Sequence, residues 1–158
     1  MSTAASRPVP LSNANLSEII RLTPIPSIDL VIRDTGDRVL LGLRTNEPAK
    51  CQYFVPGGRI WKDERLTDAF ARILTNETNL VYPFEEARLI GVYEHFYEIN
   101  RFGDPSYGTH HIALGYEIRM SDHVGLKPDS QHSELTWWTE STLLASGRVH
   151  EYTKCYFR

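Results

Sequence analysis

The chain has 158 residues, 41% of them apolar and 23% charged, which suits a single hydrophobic core and excludes a disordered or collagen-like chain. A net charge of −3 offers no electrostatic reason to bind nucleic acid or an anionic membrane, and no apolar run approaches the length of a membrane span. Cys51 and Cys155 form no CxxC pattern and the N-terminus lacks a secretory apolar core, so free thiols and a cytoplasmic location are expected.

Met1 to Pro10 is small, polar and proline-containing, and reads as a flexible lead-in to one domain over residues 11–158. Leu16, Ile19 and Ile20 recur at helical spacing behind Ser12 and Asn13, which are candidate caps, and Pro24 and Pro26 end that helix. Ile28–Ile32 and Val39–Leu43 flank the turn Asp34-Thr-Gly36 and read as a β-hairpin. Tyr53–Val55 is a short apolar strand broken by Pro56-Gly57-Gly58. Leu66, Ala69, Phe70, Ile73 and Leu74 then follow the i, i+3, i+4, i+7, i+8 rule of a helix with one buried stripe. Asp68 and Arg72 lie off that stripe four residues apart, as a pair would, and Asn79 suits the left-handed residue that ends a helix. Strand-like runs follow at Leu89–Tyr97, His111–Arg119 and Leu135–Thr139, separated by loops around Gly103-Asp104-Pro105 and Lys127-Pro128-Asp129. Helical patterns close the chain at Glu140–Ala145 and Val149–Phe157. This order predicts an α+β fold, a mixed β-sheet sandwiched between α-helices.

The chemistry concentrates in Gly57-Gly58-Arg59-Ile60-Trp61-Lys62-Asp63-Glu64 and the helix behind it: a glycine turn feeding a helix whose far end carries Glu77. Gly58, five residues, Glu64, seven residues and Arg72 match the first half of the Nudix box. In the second half Ile73 and Asn76 stand at glutamate positions and Asn79 at a glycine position, while Glu77 is kept. Arg44-Thr-Asn-Glu-Pro48, Phe54-Val-Pro-Gly-Gly-Arg59, His95-Phe-Tyr97, Pro128-Asp-Ser-Gln-His132 and Trp137 follow in order. With these segments the chain resembles the GDP-mannose mannosyl hydrolases, a Nudix branch that also lacks the two glutamates.

That resemblance implies a Nudix fold and a magnesium-dependent hydrolysis of GDP-mannose, or GDP-glucose, to GDP and the free sugar. Water attacks the anomeric carbon and configuration inverts. It implies Gly57, Glu77 and Gln131 as ligands of one Mg2+ per site, with Mn2+ an acceptable substitute, and His132 as general base. A histidine suits that task because its pKa lies near the working pH. Arg44 and Arg59 would hold phosphate oxygens and stabilise the departing GDP, as guanidinium groups do. Asp29, which interrupts an apolar strand on the face shared with Val31, and His95 would contact the sugar or leaving group. His111 stands where relatives are expected to carry an aromatic hydroxyl. Glu64 and Arg72 are expected to pair as scaffold. Arg65 occupies the usual capping position, so Asp63 is the nearest good cap and an earlier helix start is expected. The resemblance also implies a homodimer.

The chemical sense of the lost glutamates is that one carboxylate with neutral oxygens suits a single hard cation. Such an ion can neutralise a diphosphate but is poorly equipped to make hydroxide for attack at phosphorus. Two other readings stay open at this point: a phosphorus-attacking Nudix hydrolase of another nucleoside diphosphate derivative, and a non-catalytic nucleotide-binding Nudix module.

Overall fold

A computed structural model describes residues 10–121 and 132–158, with 132 and 133 as backbone only. Residues 1–9 of the expected lead-in, the loop around Lys127-Pro128-Asp129 and Gln131 lie outside the described residues. The elements are α1 (Asn13–Leu22), β1 (Ile25–Arg33), β2 (Val39–Arg44), β3 (Tyr53–Phe54), β4 (Gly57–Arg59), α2 (Leu66–Thr78), β5 (Arg88–Tyr97), β6 (Thr109–Arg119), β7 (His132–Trp138), α3 (Glu140–Ala145) and α4 (Glu151–Lys154). Short 3-10 turns lie at Phe84–Glu86 and Cys155–Phe157. Among the described residues no helix is long and apolar enough to cross a membrane.

The strands form one mixed, seven-stranded sheet of order β3-β2-β1-β6-β5, with β4 joined to β1 and β7 to β2. Helices cover both faces, and strand alternation shows how. Ile28, Leu30, Ile32 and Leu40 pack against Ala69, Phe70, Ile73 and Leu74 of α2. Val31, Val39 and Leu41 point the other way, against Leu143 of α3, Val149, Tyr156 and Phe157. A strand buried on both faces loses the apolar–polar alternation and reads as a continuous hydrophobic run, as Leu30–Ile32 and Val39–Leu41 do.

The hairpin expectation needs correction. β1 and β2 pair at a single position, Arg33 with Val39, beside the turn. Beyond it they diverge. β1 runs parallel to β6 along its whole length, from Ile25 opposite His111 to Arg33 opposite Arg119. Its other edge accepts β4, with Asp29 opposite Gly57, and Leu30 N–H donates to the Pro56 carbonyl. β2 pairs instead with β3 and β7. The divergence opens one end of the sheet, where the candidate site lies.

Helix α1 begins where expected, with Ser12 Oγ accepting from Asn15 N–H at 3.2 Å. Helix α2 ends as expected, Asn79 sitting at φ 61° with its N–H on the Thr75 carbonyl. Its start differs from the expectation. Asp63 does not cap it; the residue is left-handed, at φ 63°, and Arg65 occupies the capping position without a side-chain bond. The cause is Glu64, whose carboxylate turns back to Trp61 N–H at 2.9 Å and keeps residues 61–64 in a turn. Arg72 pairs with that carboxylate and not with Asp68, through Nε at 2.6 Å and a terminal nitrogen at 2.8 Å. Leu66, expected on the buried stripe, is 42% exposed; the rest of the first turn of α2 through Asp68 is exposed too, and burial begins at Ala69.

Candidate functional site

Elements β1, β2, β4, α2, β5 and β6 contribute residues to the cleft that opens where β1 and β2 part. Arg44 ends β2, at an irregularity in its pairing with β7, and its backbone partner there is His132. Its guanidinium lies 5.1 Å from the Phe54 ring centre. Asp29 is central in β1, and Gly57 and Arg59 bracket β4. Gly57 has to be glycine: a Cβ there would stand 2.8 Å from the Ile28 carbonyl oxygen and collide with the Asp29 carboxylate. Glu77 sits in the last turn of α2 and is almost wholly buried. His95 is buried in β5, opposite His111 of β6.

The structure brings Asp29, Arg44, Gly57, Arg59, Glu77 and His95 to the wall of one cleft of about 450 Å3. His111, Asn76 and Tyr97 line it too. A more open depression of about 360 Å3, between the end of α1 and β5–β6, includes none of the six. Gln131 lies outside the described residues, and His132 is placed by its backbone alone.

Burial dominates the electrostatics of the cleft. It pushes the Asp29 carboxyl up to about 6, against the opposing pull of the Tyr156 hydroxyl and the Arg44 charge. It pushes His95 down to about 4, helped by His111 and His150, and His111 down to about 4, helped by Arg44 and His110. His150 is lowered for the same first reason. These three histidines are therefore neutral at pH 7, and positive charge in the cleft comes from arginine. Arg59 lies below its ordinary value through burial and then the charges of Arg72 and Arg101. Tyr97 and Tyr156 are raised by burial, so both keep their protons and can donate.

Sequence reasoning missed Tyr152 and Tyr156. The Tyr156 hydroxyl donates to Asp29 at 2.5 Å and stands 3.5 Å from His95 Nε2. The Tyr152 ring stacks on His95 with centroids 4.3 Å apart, and its hydroxyl donates to the Phe96 carbonyl at 2.6 Å. The available signal was their spacing of four inside a predicted helix, which puts two aromatic hydroxyls on one face.

Among the described residues no three His, Cys, Asp or Glu side chains gather as a metal cluster. The donors that line the cleft beside α2 are the Glu77 carboxylate, the Asn76 amide and backbone at Gly57, while the nearby Asp29 carboxylate is engaged by the Tyr156 hydroxyl. One anionic oxygen donor with neutral oxygens fits one hard divalent ion that keeps several waters and takes phosphate oxygens. Ile73 shows what the missing carboxylate became. It is 1% exposed, and its Cγ1 would lie 3.1 Å from a Cβ added at Gly58, so hydrocarbon fills the contact between helix and glycine turn.

A model of the NUDIX domain matches residues 23–156. The chain belongs to the Nudix family. Members generally use a divalent metal such as Mg2+, bind nucleotide derivatives and are hydrolases. The low-salt glycan biosynthesis protein Agl8 of Haloferax volcanii is 40% identical over 117 residues, covering 74% of this chain and 72% of that one. Among solved structures, the MutT protein from Methanosarcina mazei Go1 superimposes with a TM-score of 0.68 at 20% identity, over 85% of this chain and 91% of that one. The NUDIX domain of Shewanella oneidensis NrtR, solved with ADP ribose, gives 0.65 at 20% identity, over 94% and 97%. At such identities these likenesses bear on the Nudix fold alone.

Proposed function

We propose that this Nudix protein hydrolyses a GDP-hexose, GDP-mannose in the first instance, to GDP and the free sugar by attack of water at the anomeric carbon. The observation that carries the reading is Ile73, buried at a glutamate position of the box, which leaves Glu77 as the carboxylate of α2 that lines the cleft. The relative described as a glycan biosynthesis protein is in keeping with a nucleotide-sugar substrate.

Glu77, Gly57 and Gln131 would hold a single Mg2+, or Mn2+ in its place. When bound, that ion offsets negative charge on the diphosphate as it leaves. Arg44 and Arg59 bind the same phosphate oxygens from β2 and β4, and their grip tightens as the leaving group gains charge. His132 takes the proton of the attacking water. The water oxygen bonds to the anomeric carbon, the carbon–oxygen bond to the β-phosphate breaks, and its electron pair leaves with GDP. Asp29 and His95 contact the sugar side, and neutral His95 donates or accepts a hydrogen bond without repelling Arg44. The protein works as a cytoplasmic homodimer in this reading, built on the single domain of residues 11–158.

Hydrolysis in 18O-labelled water tests the reaction. Label in the sugar is the expected result. Label in the phosphate product overturns it in favour of attack at phosphorus, and binding of GDP-mannose without turnover makes the protein a sensor.

A further inference from the structure

The loop between β5 and β6 was legible only as a turn around Gly103-Asp104-Pro105, and no role in the site was expected of it. Its construction is unusual for a surface loop. Asn100 is fully buried, with no exposed area. Its amide nitrogen donates to the carbonyls of Asp104 at 2.7 Å and Tyr107 at 2.8 Å, and its amide oxygen accepts from Phe102 N–H at 2.9 Å. Both amide hydrogens are thus used. Thr109 Oγ1 ties the loop's end to the Ile99 carbonyl at 3.1 Å, and the Asp104 carboxylate holds Ser106. Asn100 and Phe102 flank Arg101, so its backbone is clamped on both sides.

Arg101 lines the same cleft as Arg59. The two guanidinium groups are near enough that the charge of Arg101 helps lower the Arg59 pKa. Arg72, the other neighbour, is committed to Glu64. Among the described residues neither Arg59 nor Arg101 has a carboxylate in ion-pair contact; Arg101 rests only near the Phe102 ring, 5.8 Å from its centre. Like charges in one cleft repel, here offset only in part by the charge of Glu64, and a multiply charged anion entering between them relieves the arrangement.

We propose that Arg101 is a third phosphate-binding guanidinium of the cleft, pre-positioned by the Asn100-centred loop to share a diphosphate with Arg59. This rests on the reading that the cleft takes a nucleoside diphosphate derivative. Arg101 stands at the rim, so it serves binding and orientation of the diphosphate more than the bond-breaking step.

The test is calorimetric binding of GDP, inorganic diphosphate and guanosine to the full chain, with Mg2+ and with chelator. Arg101→Gln should weaken GDP and diphosphate about tenfold, leave guanosine unchanged, and reduce the salt dependence of GDP binding. Arg101→Lys should recover part of the loss, because charge returns without the planar fork. Asn100→Ala should lose affinity although Arg101 is intact. An Arg101→Gln protein that binds GDP and diphosphate like the wild type overturns the inference, as does an equal loss for guanosine, which would put Arg101 on the base. If the wild type binds neither GDP nor diphosphate, the reading of the cleft falls and this inference falls with it. Unchanged melting temperatures for both Arg101 variants are expected, because the side chain is exposed.

Discussion

Replacing Glu64 by Gln removes one charge from the pair that holds the glycine turn against α2. The Glu64 side chain is 3% exposed and that of Arg72 21%. The carboxylate accepts two bonds from Arg72 and one from Trp61 N–H, and Arg72 also donates to the Arg59 carbonyl at 2.9 Å and lies 4.0 Å from the Trp61 ring centre. Glutamine keeps the shape but sets an NH2 group against a guanidinium donor, leaving the Arg72 charge unbalanced. Breaking a buried pair from one side costs ~3–5 kcal/mol, and partial access of water to Arg72 lowers this to ~2–4 kcal/mol. For a chain of this length that corresponds to a melting temperature lower by ~4–16 °C. Urea denaturation at pH 7 measures it, with Arg72→Met and the double variant completing a cycle; the double variant should recover more than ~1 kcal/mol of the summed losses. The pH dependence adds a second reading. Arg72 and the Trp61 N–H hold the Glu64 carboxyl below its ordinary value, against burial, which is the largest influence and acts to raise it. The pair therefore contributes fully above the unfolded carboxyl pKa of ~4.3 and loses its contribution as pH falls through the lower folded value. The gap between wild type and Glu64→Gln should be wide at pH 7 and close on acidification. A variant within ~0.5 kcal/mol of wild type at pH 7, or strictly additive cycle energies, would refute the reasoning.

Gly58→Ala should cost ~1–3 kcal/mol in urea denaturation, because the added methyl meets Ile73, and Ile73→Ala in the same chain should absorb much of that loss. Arg44→Gln and Arg59→Gln should each lower kcat by ~10²-fold with a smaller change in KM; a rise in KM alone would mean that they only bind. His132→Gln should lower kcat by ~10²–10⁴-fold with near-normal affinity for GDP, and an unchanged rate against pH removes it as the base.

Local chemistry explains which features were legible. Asn79 was readable as a helix end because the left-handed conformation is intrinsic to its side chain, and the α2 stripe because burial follows from a period set by the backbone. The cleft residues Arg44, Gly57, Arg59 and Glu77 were reachable only through the resemblance, whose segments run in order along residues 44–77. Arg72 had two expected partners, Asp68 from helical spacing and Glu64 from the resemblance, and the structure takes Glu64. Arg72 had Asp68 at ideal helical spacing, yet Asp68 is a solvated carboxylate, whereas Glu64 is already buried and held by Trp61 N–H. The pair that escapes water wins, and burial is a tertiary property. The β1–β2 divergence was hidden for a related reason: a turn specifies that two strands meet, while the competing edges of β4, β6 and β7 decide how far they stay together.

Ile73 joins these two kinds of legibility. As the seventh residue after Leu66 it belongs to the apolar stripe, and it stands at a glutamate position of the box, which the proposed function reads as a lost ligand. One contact accounts for both roles. Gly58 has no Cβ, so α2 approaches β4 until the Ile73 side chain touches the turn. A carboxylate there would be desolvated by the same packing and would need a cation to balance it. With isoleucine in place, the turn and helix hold their distance by hydrocarbon contact, with or without metal. It follows that metal removal should barely change the stability of the β4–α2 contact, while Ile73→Glu should make stability depend on added Mg2+. A thermal melt of Ile73→Glu with chelator and with Mg2+ decides the point: equal melting temperatures would mean that this contact does not set how many cations the cleft can hold.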